Sequence, residues 1–173
     1  RADTTLVKLS QLKPVFKKKG SVSAGNVSSL NDGAAFLVLA SSDYIKANKI
    51  KPLAKILSWS SSAGNPDYMG ITPITAIQKL MKKMSVNIGY FDLIEINEAF
   101  AATSVAVQRS LKIDPNKLNI AGGAIALGHP IGCSGTRIVT TLANQLKRTK
   151  QKFGVASMCI GGGQGLAMAI EKL

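Results

Sequence analysis

FGVASMCIGGGQGLAMAI, residues 153–170, decides how this polypeptide is built. Phe153 to Ile160 is an apolar run of strand length, Gly161 to Gly163 supplies a tight turn, and Leu166 to Ile170 is a second apolar run. Two such runs around a short glycine turn predict an antiparallel hairpin of buried strands. Working outward, Thr136 to Leu146 reads as an apolar-faced helix, and Ile120 to Leu127 as a glycine-rich irregular stretch. Ala99 to Leu111 is expected to be helical, and Phe91 to Ile96 (FDLIEI) a strand. Thr72-Pro73 opens a helix to about Met84, with proline in its first turn. Ile74, Ile77, Leu80, Met81 and Met84 form a stripe at helical spacing, assigned to the core. Leu53 to Trp59 is a further strand, with a loop from Ser60 to Pro66. Strands that alternate with helices imply βαβ units, hence an α/β fold.

Lys51-Pro52 marks a boundary. Before it, Leu6, Leu9 and Leu12 suggest a short helix closed by Pro14, and the small, polar residues Val22 to Asn31 suit a loop beside a ligand. Ala34 to Ala40 (AAFLVLA) reads as a buried strand, and Ser42-Asp43 caps a helix to about Asn48. The sequence opens at Arg1 in mid-pattern, so we expect a piece of a longer protein, any targeting segment lying upstream.

The chain has 173 residues, 46% of them hydrophobic, enough for a sizeable core. No apolar run is long enough to span a membrane. Two cysteines, Cys133 and Cys159, are too few for a disulfide scaffold and are expected to be free thiols in a reducing compartment. The net charge is +13, with clusters at Lys17-Lys18-Lys19, Lys82-Lys83 and Lys147-Arg148-Thr149-Lys150-Gln151-Lys152. Such a field attracts anions, phosphate-bearing small molecules and nucleic acid among them. Aromatic residues are sparse and do not interleave with the basic runs, so a nucleic-acid module would rest on charge alone.

Polar chemistry collects where strands are expected to finish. Glu95-Ile96-Asn97-Glu98-Ala99-Phe100 follows one strand, Gly128-His129-Pro130 precedes a helix, and Cys159-Ile160-Gly161-Gly162-Gly163 ends another strand. Ligands of α/β sheets bind at the carboxyl ends of strands. Taken singly, Asn97 reads as a helix cap and Cys159 as a small buried apolar residue. His129, the only histidine, lies among Gly122, Gly123, Gly128, Gly132 and Gly135, which leave room for something to approach it. Together the three islands supply an imidazole, a thiol, a carboxamide and free backbone amides. A thiol of lowered pKa with an imidazole partner can move protons or attack a carbonyl, and amide donors can hold the oxyanion that follows. One His and two Cys with no close-set pair fall short of a zinc site, so no metal is expected. P-loop, Rossmann and hydrolase-elbow patterns are absent.

NEAF, GGAIALGHPIG-x-SG and C-x-GGG-x-G, in this order, resemble the thiolase family. RADTTLVKLSQLKPVFKKKGSVSAGNVSSLNDGAA resembles its acetyl-CoA acetyltransferase branch. The resemblance covers essentially the whole chain. It implies two similar βαβαβαββ halves, each with a mixed, mostly parallel, five-stranded sheet covered by helices. Residues 1–50 would be the end of a loop region and the last part of the N-terminal half, and residues 51–173 the C-terminal domain. The implied reaction joins two acetyl-CoA into acetoacetyl-CoA and CoA, or runs in reverse, within fatty acid and lipid metabolism.

In that resemblance His129 activates a nucleophilic cysteine and helps bind a thioester oxygen. Cys159 is the acid/base cysteine, Asn97 holds the water of one oxyanion hole, and Gly161 lends its amide to the other. Ser28 and Ala24 match a pantetheine-facing loop, Met69 and Phe100 the acyl pocket, and Phe16 and Arg1 positions near the adenine. The family's nucleophilic cysteine would lie upstream of Arg1, Cys133 not being its equivalent. The isolated chain is therefore expected not to form an acyl-enzyme. The substrates implied are CoA thioesters, with no further cofactor. The partners implied are other copies of the chain, in a dimer or tetramer, with no nucleic acid or membrane. The expected compartment is the cytoplasm, or the mitochondrion if a targeting segment precedes Arg1. The alternative is a non-catalytic fragment of the same fold that binds CoA or a partner chain.

Overall fold

A computed structural model describes residues 2–173. Helices α1 (Leu6–Ser10) and α2 (Ser42–Ala47) lie in a leading arm. They are followed by strand β1 (Ala54–Ala63), helix α3 (Thr72–Met84), strand β2 (Leu93–Ile96), helix α4 (Ala101–Leu111), the single turn α5 (Ala124–Leu127) and helix α6 (Ser134–Arg148). Strands β3 (Phe153–Ile160) and β4 (Gln164–Lys172) close the chain. The β3–β4 hairpin forms where the sequence places it, with Ile160 opposite Gln164 across the glycine turn. Gly163 (φ +83) sits at that turn, and a Cβ there would strike the carbonyl oxygen of Gly64, so only glycine fits.

The strands form one mixed sheet of four in the order β1-β4-β3-β2. β2 and β3 pair in parallel, while β4 is antiparallel to both β3 and β1. The expectation of a mostly parallel sheet needs correcting, for a topological reason. β1, β2 and β3 do run in one direction, but β4 folds back between β1 and β3 and makes two of the three pairings antiparallel.

Nor are there five strands among the described residues. Where a fifth would lie beside β2, a single parallel bridge joins Ile94 to Leu118. The next residue, Asn119 (φ +47), leaves the extended conformation. Its carboxamide then takes over the ladder's work, accepting from Ile96 N at 2.8 Å and donating to Ile96 O at 2.9 Å. Ala34 to Ala40 is not a strand either; it has no regular structure, and Phe36, Val38 and Leu39 are exposed. Its apolar character calls for a partner surface that residues 2–173 do not provide. β1 in turn runs past Trp59 to Ala63, into the stretch expected to be a loop.

Alternation along each strand sends side chains to two cores. On one face Ile94, Ile96, Val155, Ala167 and Ala169 pack with Ala76, Ile77 and Leu80 of α3 and Val107 and Leu111 of α4. On the other, Leu93, Ala156 and Ile170 pack with Ile138, Leu142, Ala143 and Leu146 of α6. Fully burying one such leucine is worth about 1.5–3 kcal/mol. The shared direction of β1, β2 and β3 brings their carboxyl ends to one edge of the sheet. The segments carrying Met69, Asn97 and Cys159 leave the sheet there.

Candidate active site

Asn97 follows β2 directly, and its backbone N–H still bonds to Ser157 O of β3 at 3.0 Å. This places it beside the end of the strand that carries Cys159. Its side chain does not cap α4, whose N-cap is Phe100 and has no side-chain bond. The carboxamide is buried, 1% exposed. Its Nδ2 lies 3.3 Å from His129 Nε2, and its Oδ1 accepts from Arg137 Nη2 at 3.2 Å. The imidazole and the carboxamide, 32 residues apart in sequence, therefore meet.

His129 is half-buried and held on every side. Its backbone N–H donates to Ser29 O at 2.9 Å, and its Nδ1 is 2.6 Å from Ser134 Oγ. Gly128 before it has φ +92, and a Cβ there would overlap the Asn31 carboxamide. Glycine is required at this point by both conformation and space. Glu98 secures the loop from below: it accepts from Asn119 Nδ2 at 3.0 Å and from Ile125 N, at the start of α5, at 3.2 Å.

Burial, and secondarily the Arg137 charge, lower the His129 pKa, so the ring is neutral near pH 7. Cys159 is a free, buried thiol at the end of β3. Burial raises its pKa, and the backbone hydrogen bond opposes this only in part. The group is held as a proton-bearing thiol. His129 spends its two ring nitrogens on Asn97 and Ser134, not on Cys159. Glu95, 4% exposed on β2, has its pKa pushed up to about 8 by burial; Arg137 opposes the rise and Glu98 adds to it.

The other expected residues fall into two groups. Ser28 joins the site loops, with its N and Oγ each 3.1 Å from Ala99 O. Phe100 follows, bridged to Val27 and with its ring centroid 6.4 Å from that of Phe16. Phe16 also lines a hollow of about 260 Å³ with Lys17 and Val22. Ala24 is exposed on the same arm. Met69 lies in the 3₁₀ segment Pro66–Ile71, tied to the sheet edge through Thr72, whose Oγ1 is 2.7 Å from Met69 O and 2.6 Å from Gln164 O. The apolar hollow beside it, about 280 Å³, is lined by its neighbours Tyr68, Gly70 and Ile71 with Ala102, Thr103 and Ala106 of α4, rather than by Met69 and Phe100 themselves. Gly161 is exposed in the β3–β4 turn. Arg1 lies outside the described residues. No group of three His, Cys, Asp or Glu side chains placed to hold a metal ion occurs among the described residues.

Arg137, Ser134, Glu98 and Asn119 are the contributors that sequence reasoning missed. Arg137 left one trace, a lone cation near the start of a helix whose other face is apolar.

The class of the fold is α/β: a mixed sheet with an imidazole and a carboxamide in contact on loops at its strand ends, and a buried thiol near the end of the adjoining strand. The family described as "Thiolase, C-terminal domain" matches residues 50–172, and "Thiolase, N-terminal domain" matches residues 1–43; the chain belongs to the thiolase family. It is 48% identical over 171 residues to the mitochondrial 3-ketoacyl-CoA thiolase of Rattus norvegicus, covering 99% of this chain and 43% of that protein. It is 50% identical over 172 residues to a probable acetyl-CoA acyltransferase of Staphylococcus epidermidis, with coverage of 99% and 43%. The crystal structure of the Bacillus anthracis acetyl-CoA acetyltransferase superposes with a TM-score of 0.97 at 49% identity, covering 100% of this chain and 44% of that one. Human mitochondrial 3-ketoacyl-CoA thiolase in complex with CoA gives 0.92 at 44% identity, with coverage of 100% and 44%. The chain thus spans less than half the length of these relatives.

Proposed function

We propose that the chain supplies the carboxyl-terminal catalytic loops of an acyl-CoA acyltransferase, and that its reaction is the condensation of two acetyl-CoA to acetoacetyl-CoA and CoA, with the reverse thiolysis. The observation that carries this reading is the 3.3 Å approach of Asn97 Nδ2 to His129 Nε2 beside the end of the Cys159 strand. In this reading the neutral imidazole of His129 takes the proton of a nucleophilic cysteine in the upstream half. That thiolate attacks the thioester carbonyl, and CoA leaves as a thiolate. Cys159, kept protonated by burial, gives the leaving CoA its proton. The Cys159 thiolate so formed removes a proton from the methyl carbon of a second acetyl-CoA. That carbon attacks the acyl-enzyme and expels the upstream cysteine as a thiolate, which takes back the proton held by His129. Asn97, through a water, and the amide of Gly161 hold the two carbonyl oxygens as negative charge builds on them.

CoA recognition is proposed for the arm and its neighbours, Phe16, Ala24, Ser28, Phe100 and Met69, with Arg1 nearby. It is supported by the packing of Phe16 on Phe100 and by a relative whose structure is a complex with CoA. The chemistry calls on no cofactor beyond the thioester. We also propose assembly of like subunits, supported by the exposed apolar side chains Phe36, Val38 and Leu39; light scattering on the full-length protein checks it. The cytoplasm is the proposed compartment and the mitochondrion its alternative, because relatives named as mitochondrial stand beside bacterial ones.

The full-length protein, given acetyl-CoA, should release acetoacetyl-CoA and free thiol in equal amounts by a ping-pong rate law. CoA binding without turnover would leave only the non-catalytic alternative.

A further inference from the structure

The His129 ring can carry its one proton on either nitrogen, and only the tautomer with a bare Nε2 can take a proton from the side that faces Asn97. We infer that Arg137 is a positioning residue that selects this tautomer, acting through Asn97, with Ser134 acting from the opposite side of the ring.

The logic follows donors and acceptors. A guanidinium can only donate, so the Asn97 atom 3.2 Å from Arg137 Nη2 must be the carbonyl oxygen. That fixes the amide orientation and turns the NH₂ of Asn97 toward His129. An NH₂ is itself a donor, so Nε2, 3.3 Å away, must accept, and it carries no proton. The other side agrees independently. Ser134 Oγ, fully buried, donates its only proton to Pro130 O at 3.0 Å. It is then an acceptor for Nδ1–H, 2.6 Å away. Two separate chains of hydrogen bonds lead to one tautomer, and both begin near the start of α6.

Arg137 does more than orient an amide. Its Nη1 donates to Gly128 O at 3.1 Å, so one side chain grips both the residue preceding His129 and the group facing its ring. Its Nε is buried and bonds to nothing among the described residues, so the guanidinium is held by these two contacts. The inference rests on the proposed acyl transfer for its catalytic meaning, but not for its geometry.

The test uses the full-length protein labelled with ¹⁵N-histidine, with long-range ¹H–¹⁵N spectra assigned by loss of one ring in His129→Gln. In the wild type, His129 should show a protonated Nδ1 and a bare Nε2. In Arg137→Met the amide is free to turn, and the ring should shift toward a mixture with Nε2–H. Turnover of acetyl-CoA should fall about ten- to a hundredfold, part of the ~10²–10⁴ that a positioned acid or base contributes, with KM changed less than about threefold. Arg137→Lys, which keeps a donor for Asn97 Oδ1, should restore the Nδ1–H signature and part of the rate. Asn97→Asp, close to isosteric, puts an acceptor against Nε2 and should drive the proton there even if Arg137→Met does not fold. A wild-type ring protonated at Nε2 overturns the inference, as does an unchanged Nδ1–H signal in both Arg137→Met and Asn97→Asp. The spectra decide this point without turnover; the wild-type rate decides the proposed function.

Discussion

The arm, residues 2–53, and the sheet body, residues 54–173, are held in place by different forces. Every buried hydrophobic residue among those described lies between Ala76 and Ile170. The arm has a single buried residue, Ser23. What fixes the arm is backbone hydrogen bonding onto the two loops that carry the candidate chemistry. Ala101 N donates to Asn26 O, Ser28 N to Ala99 O, and His129 N to Ser29 O, at 2.9, 3.1 and 2.9 Å. The body therefore folds around its own apolar area, while the arm acts as a strap across the edge that carries the candidate site. The candidate site lies on the seam and belongs to neither core.

The sharpest way to break that comparison is at the seam. His129→Ala and Cys159→Ala, made in the full-length protein, should each lower turnover by about 10²–10⁴. Their circular dichroism and melting should stay close to wild type, because neither side chain joins the two apolar clusters. Collapse on heating would make these residues part of the body and remove the distinction.

Within the body, Leu142→Ala should cost about 2–5 kcal/mol, as expected for a fully buried leucine between helix and sheet. Urea denaturation would measure this as a lower midpoint with unchanged slope.

Glu95 gives a pH-dependent version of the same contrast. Its pKa is raised in the folded state, from 4.5 to about 8, so the folded protein holds a proton there that the unfolded chain releases. The stability gained from that proton is fully present below pH 4.5 and is lost as the pH rises through about 8. The loss is about 1.4 kcal/mol for each pH unit crossed inside the window. Glu95→Gln should flatten the dependence of melting temperature on pH and raise it most at alkaline pH. A parallel pair of curves would show that the carboxyl is already ionised in the fold.

The smallest effect belongs to the arm. Val38→Ala, at a side chain 96% exposed, should change the stability of the isolated chain by less than about 0.5 kcal/mol. A larger cost in the full-length protein would locate the surface that covers residues 34–40.

Legibility divides along the same line. Helix Thr72–Met84 and strand Phe153–Ile160 were readable residue by residue, because period and length leave no alternative once Pro73 and the glycine turn mark their ends. Ala34 to Ala40 misled because an apolar run reports that burial is wanted, not what supplies it. Asn97, His129 and Cys159 stood out as chemistry at expected strand ends and loops, whereas Arg137, Ser134 and Asn119 look like ordinary helix and loop residues until their partners are known.

Local pattern was enough to place the main helices and strands of the body, the closing hairpin and the family, since period, turn residues and motif spacing are properties of neighbours along the chain. Only the tertiary structure could decide that β4 enters between β1 and β3, that a carboxamide replaces the fifth strand, and that a guanidinium orients Asn97 toward His129. Those outcomes depend on which donor meets which acceptor across tens of residues, and such pairings exist only once the chain has folded.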